Sequence, residues 1–191
     1  MSSQHVEPRN HLYCFVTLKH HQQKRKYTGE PYFNHVLAVA KMADGLCNFG
    51  YEIGLCHDLL EDTDCTAQEL KNALVRFGYE EHKAEYIKRA VIELSDVYVS
   101  EDFPQLNRAK RKALEAVRLA KTSYEAQTVK YCDLMHNTAS IVEHDKHFAK
   151  VYLAEKATIL KGMNKGNPTT YAKCKRVLKS ALKKTNHEQT N

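Results

Sequence analysis

A histidine and an aspartate sit side by side in the apolar run Leu55-Cys-His-Asp-Leu-Leu60. Burying an imidazole and a carboxylate among leucines is costly unless a hydrogen-bond partner or a cation compensates. Glu61 and Asp62 follow at once. On a helix, His57 stacks under Glu61 and Asp58 under Asp62, so four polar groups share one wall. That wall lies at a helix C-terminus, where the macrodipole disfavours acids, so capping does not explain them. His35, in Pro31-Tyr-Phe-Asn-His-Val-Leu37, and Asp133, in Val129-Lys-Tyr-Cys-Asp-Leu-Met-His-Asn137, have the same apolar surroundings. Two His and two Asp make a mixed nitrogen and oxygen donor set. It suits Mn²⁺, Fe²⁺, Zn²⁺ or Mg²⁺, and the lack of thiolates argues against a structural zinc site. Four such ligands on an octahedral ion leave room for water and substrate, and water on such an ion is a usable nucleophile near neutral pH.

The elements that must hold these residues read as helices. Gly and Pro are scarce, at seven and four, and helical periodicity recurs where strand alternation does not. Leu12, Phe15, Val16 and Leu18 begin an amphipathic segment that ends in a basic, polar run. Gly29 breaks the chain, and Pro31 stands where a first helical residue belongs, with Val36, Val39, Ala40 and Ala43 following on one side. Gly45 to Gly50 reads as a loop and Tyr51 to Asp62 as one buried helix. Thr66-Ala-Gln-Glu69 and Thr122-Ser-Tyr-Glu125 fit the capping box, in which a hydroxyl and a carboxylate satisfy free backbone donors. Glu80 to Val97 and Gln105 to Lys121 read as helices, as do segments near 146–161 and 168–184. The expectation is an all-α single domain of about nine helices. Residues 1–165 would form its body, and 166–191 a basic terminal helix and tail packed on it.

The 191 residues fit one domain with its own core, and 42% hydrophobic and 27% charged residues are ordinary globular usage. The net charge of +6 is unevenly placed: from 161 onward there are eight bases and one acid, which leaves the rest close to neutral. The basic character therefore reads as a solvated, Lys-rich helix face and not as a nucleic-acid surface. No apolar run approaches the roughly 18 residues that suggest a membrane span, and Met1 to Asn10 lacks a signal-like stretch, so a cytoplasmic protein is expected. The six cysteines include no C-x-x-C pair and read as reduced core thiols.

The order His35, His57-Asp58, Asp133 resembles the H…HD…D signature of HD-domain metal-dependent phosphohydrolases. The resemblance narrows with Arg25-Lys-Tyr-Thr-Gly-Glu-Pro-Tyr-Phe-Asn-His35, which is similar to the "RK-SGEPY-x-x-H" opening of the hydrolase domain of RelA/SpoT alarmone enzymes. Cys56-His-Asp-Leu-Leu-Glu-Asp-Thr63 resembles their "LHDxxEDT", Arg76-Phe-Gly78 their "FG", and Lys130 to Asn137 their "KLADRLHN". With four ordered motifs over residues 10–165, the chain resembles a stand-alone small alarmone hydrolase.

The resemblance implies an all-helical HD fold and one divalent metal, usually Mn²⁺, on His35, His57, Asp58 and Asp133. It implies removal of the 3′-pyrophosphate of guanosine tetra- or pentaphosphate, giving GDP or GTP and pyrophosphate. Glu61 and Asp62 would orient the water and move its proton, with Glu61, the longer side chain, as the proton-transfer residue. Arg25 and Lys26 would engage the nucleotide by stacking and phosphate contact, Asn137 would face it, and Tyr152 would lie near the ribose. The partner is a small-molecule nucleotide, with neither membrane nor nucleic acid implied and no oligomeric state indicated.

The chain departs from the family pattern at Val36, Leu134, Ala109 and Glu93-Leu-Ser95. The departures spare the metal positions and fall partly on phosphate-gripping bases. A second reading therefore stays open: an HD phosphohydrolase acting on a deoxynucleotide, a nucleoside monophosphate or a phosphorylated dinucleotide cofactor. A nucleotide sensor without turnover would not need Glu61 and Asp62.

Overall fold

The computed structural model describes residues 7–187, and these form ten helices. Met1 to Val6 of the segment read for a signal, and 188–191 of the expected tail, lie outside them. The helices are α1 (Pro8–Lys19), α2 (Phe33–Ala43), α3 (Gly50–Cys56), α4 (Leu59–Asp62) and α5 (Ala67–Arg76), then α6 (Glu81–Leu94), α7 (Arg108–Leu119), α8 (Tyr124–His144), α9 (Lys146–Gly162) and α10 (Pro168–His187). Among the described residues there is no strand, only an isolated antiparallel bridge between Lys24 and Pro31. The all-α expectation holds.

Helix α8 is the axis of the molecule. It packs against α2, α3, α6, α9 and α10, while α7 pairs with α9 and α5 with α6. Every residue from Ala126 to Met135 is buried. A helix surrounded on all sides is normally apolar throughout. This one carries Gln127, Thr128, Lys130 and Asp133 in the interior, so each needs a partner there. Gln127 finds the carbonyls of Leu119 and Thr122, and Thr128 that of Tyr124. Lys130 and Asp133 pair with each other.

Close approach of α2 and α3 depends on Gly54. A Cβ there would lie 2.8 Å from Ala40 Cα, so any larger residue would push apart the helices carrying His35 and His57. The loop before α2 turns at Gly29, whose φ of +70° is left-handed and suits glycine.

Three local expectations are corrected. The single helix read over Tyr51–Asp62 is broken: α3 stops at Cys56, Asp58 takes φ −101°, ψ 2°, and α4 restarts at Leu59. Hydrophobic spacing cannot reveal this break, because Leu55, Leu59 and Leu60 stay on the core side across it. The cap of α8 is Ser123, which accepts from Ala126 N, while the Thr122 hydroxyl donates back to Leu119 O. The two hydroxyls are adjacent, so the pattern could not separate them. Pro31 is not the first helical residue of α2; it pairs with Lys24, and the helix begins at Phe33.

Candidate metal centre

His35 sits in the first turn of α2, His57 caps α3, Asp58 caps α4, and Asp133 lies midway along α8. All four side chains are buried, and they converge. His57 Nε2 is 3.0 Å from Asp58 Oδ2 and 3.8 Å from Asp133 Oδ1. His35 Nε2 is 3.5 and 3.4 Å from the same two oxygens. The ligand atoms of His35, His57 and Asp58 all lie within 4.8 Å of one another.

The rings are held from behind. His57 Nδ1 lies 2.7 Å from Gly54 O; a carbonyl only accepts, so Nδ1 carries a proton and Nε2 is the nitrogen turned to the cluster. His35 Nδ1 meets His136 Nδ1 at 2.9 Å. Burial, with His35 and Arg25 nearby, lowers the His136 pKa to about 4, so that ring is neutral and can accept from His35. The buried Nε2 atoms of His35 and His57 have no hydrogen-bond partner. Such orienting contacts are usual behind metal-bound imidazoles.

The carboxylates are fixed too. Asp58 Oδ2 accepts from Tyr32 Oη at 2.7 Å. Asp133 Oδ1 accepts from Asn137 Nδ2, and its Oδ2 pairs with Lys130 Nζ at 3.0 Å. Burial would raise both acids, yet His57 beside Asp58 and Lys130 beside Asp133 hold them well below the usual range. Burial would likewise lower His57, but Asp58 and Asp133 outweigh it and push it up to about 10. The cluster thus attracts positive charge. Two ring nitrogens facing two ionised carboxylates form a donor set that fits a divalent metal, which would take the place of the proton on His57 Nε2.

Glu61 and Asp62 follow the cluster on α4, and both feel the charge of Asp58. Burial of its carboxyl raises the Glu61 pKa to about 7 despite Lys130, and one oxygen accepts from Asp96 N. Asp62 is raised by burial and by Asp58. Arg25 reaches in: it donates to Asn137 Oδ1 at 3.0 Å and lies 5.7 Å over the Tyr32 ring. Lys26 does not join this network; its ammonium rests over Tyr27, which is tied to Asp145. Tyr152 is buried in α9 with an unpartnered hydroxyl and feels the Asp133 charge. The sequence reading did not single out Tyr32, His136 or Lys130. Each lies three residues from a chosen one, His35 or Asp133, on the same helical face or leading into it.

No family model matches the chain. A human protein named guanosine-3′,5′-bis(diphosphate) 3′-pyrophosphohydrolase MESH1 is 29% identical over 163 residues, covering 80% of this chain and 83% of the relative. A protein of the same enzyme name from Aquifex aeolicus is 48% identical over 77 residues, 39% of this chain. That stretch is only 10% of the Aquifex protein, which is far longer. A solved structure titled as a metazoan ortholog of SpoT that hydrolyzes ppGpp superposes with a TM-score of 0.74 at 20% identity, over 94% of this chain and 97% of that one, and shares its fold. Over four fifths of its length the chain is thus similar to a protein named as a 3′-pyrophosphohydrolase, and it shares the fold of the solved structure. The H…HD…D residues are the four that converge, and no described helix is long and apolar enough to cross a membrane.

Proposed function

We propose that the chain is a metal-dependent hydrolase of guanosine 3′,5′-bis(diphosphate), removing the 3′-pyrophosphate to leave GDP, or GTP from the pentaphosphate. The observation that carries this is the pair of buried, unpartnered Nε2 atoms of His35 and His57, facing Asp58 and Asp133. These four residues would hold one divalent metal, with Mn²⁺ as the ion of choice. When bound, such a metal supplies a water acidic enough to act as a nucleophile near neutral pH.

The chain's own residues do the remaining work. Glu61, with its pKa lifted to about 7, is suited to take the proton from the attacking water. Asp62, beside it, orients that water. Tyr32 and Asn137 keep the Asp58 and Asp133 oxygens aimed inward. Arg25, stacked on Tyr32 and tied to Asn137, offers a planar cation to the base or phosphate of the nucleotide. Tyr152 supplies an apolar wall with a free hydroxyl for the sugar, and Lys26 a flexible charge further out.

The test is a nucleotide panel incubated with the protein and Mn²⁺, with products resolved by chromatography. Release of pyrophosphate and GDP from guanosine tetraphosphate is the expected result. Inertness toward it, with cleavage of another phosphorylated nucleotide, would transfer the same machinery to that substrate.

A further inference from the structure

Three lysines from three helices lie close enough to feel one another around Asp133 and Asp96. Lys130, buried in α8, pairs with Asp133 Oδ2 at 3.0 Å. Lys112, from α7, pairs with Asp96 Oδ2 at 2.7 Å. Lys156, from α9, has no such neighbour: among the described residues its ammonium makes no ion pair or hydrogen bond, and it rests 5.2 Å from the centre of the Tyr152 ring. Burial, followed by repulsion from Lys130, lowers its pKa to about 8, with Lys112 adding to the effect against Asp133 and Asp96. Lysine usually extends its stem until its charge reaches water or a carboxylate. Here the stem is half-buried against Tyr152, in a place already occupied by two other cations. An ammonium held this way is unfavourable alone and favourable once an anion arrives. Tyr152, whose ring carries the ammonium, is a neighbour of the metal centre through Asp133. The anion would therefore sit beside the cluster.

We propose that Lys156, backed by Lys130 and Lys112, anchors phosphate groups of a polyphosphorylated nucleotide at the edge of the metal centre, and that it sets affinity and not the rate of the chemical step. Lysine suits phosphate as a point charge with freely turning donors. The nucleotide part of this rests on the hydrolase reading above. The anion part does not, because inorganic pyrophosphate probes it directly.

The experiment compares the full-length, metal-loaded wild type with Lys156→Gln and Lys156→Arg. Calorimetry gives pyrophosphate affinity, and steady-state kinetics on guanosine tetraphosphate give KM and kcat. Losing one charge-assisted bond should weaken pyrophosphate binding and raise KM by about 10–100-fold, with kcat and metal content near wild type. Lys156→Arg should recover most of both. In the wild type, pyrophosphate should suppress acylation of Lys156 by an amine reagent at pH 8, read by mass spectrometry, so the proposal is testable even if Lys156→Gln does not fold. Unchanged pyrophosphate affinity and KM, a loss confined to kcat, or labelling indifferent to pyrophosphate would each overturn it. A wild type that ignores guanosine tetraphosphate, yet whose pyrophosphate affinity depends on Lys156, would reject the substrate reading and keep the anchor.

Discussion

The four-residue cluster and the ring of side chains around it are held in opposite ways. In the cluster, His57 is fixed by Gly54, His35 by His136, Asp58 by Tyr32 and Asp133 by both Asn137 and Lys130. In the ring, Lys26 and Lys156 each touch little more than an aromatic face, and the Tyr152 hydroxyl has no partner. Arg25 stands between the two, half-exposed yet tied to Asn137. Preorganisation is therefore concentrated where charge must be placed accurately. On the proposed function, the surrounding groups are the ones left to meet a ligand. Replacements in the cluster should act on metal and turnover together, and replacements in the ring on affinity.

The sharpest break is Asp58→Ala. It removes a donor and leaves His57 and Tyr32 without their partner, and it should abolish turnover and metal content together; an active, metal-replete variant would dissolve the distinction. Next in size is Glu61→Gln, which keeps shape and removes the base. Turnover should fall by about 10²–10⁴-fold while metal content stays near wild type. As a base Glu61 must be ionised, so wild-type kcat/KM should rise with pH through about 7, and Glu61→Gln should lose that limb. Its stability should move the other way. The folded pKa lies above the ordinary 4.5, so folding favours the protonated form and stability falls as pH rises from about 4.5 through about 7. Glu61→Gln should therefore melt higher than wild type at pH 8.

His136→Phe tests how far the cluster extends. It keeps a ring behind His35 and removes the nitrogen, and metal affinity should drop by about 10–100-fold. Affinity unchanged in a metal titration would confine the cluster to its four inner members. The smallest effect belongs to the scaffold. Gly54→Ala presses a methyl into Ala40 and should cost about 1–3 kcal/mol of stability in denaturant titration. The metal should still bind once the protein is folded.

The same division governed what could be read in advance. The convergence of His35, His57, Asp58 and Asp133 was legible because acids and imidazoles in apolar helices need partners of their own kind. Helix α10 was legible from its spacing, and Leu178 and Ala181 turn inward on it. The break after His57 was not, since it leaves the apolar pattern intact. The cap at Ser123 was hidden by an adjacent Thr. The placement of Lys156 depends on α9 crossing behind α8 and beside α7, which no local pattern encodes.

On the proposed function, these four residues hold one divalent metal on which hydrolysis depends. The most direct measurement is metal stoichiometry by mass spectrometry, alongside turnover of guanosine tetraphosphate, in chelated wild type titrated with Mn²⁺ and in Asp133→Asn. Turnover should rise with bound metal and saturate at one equivalent per chain, while Asp133→Asn should retain no tightly bound metal and no turnover. Full turnover by the metal-free protein, or an Asp133→Asn variant that keeps its equivalent and its activity, would contradict it.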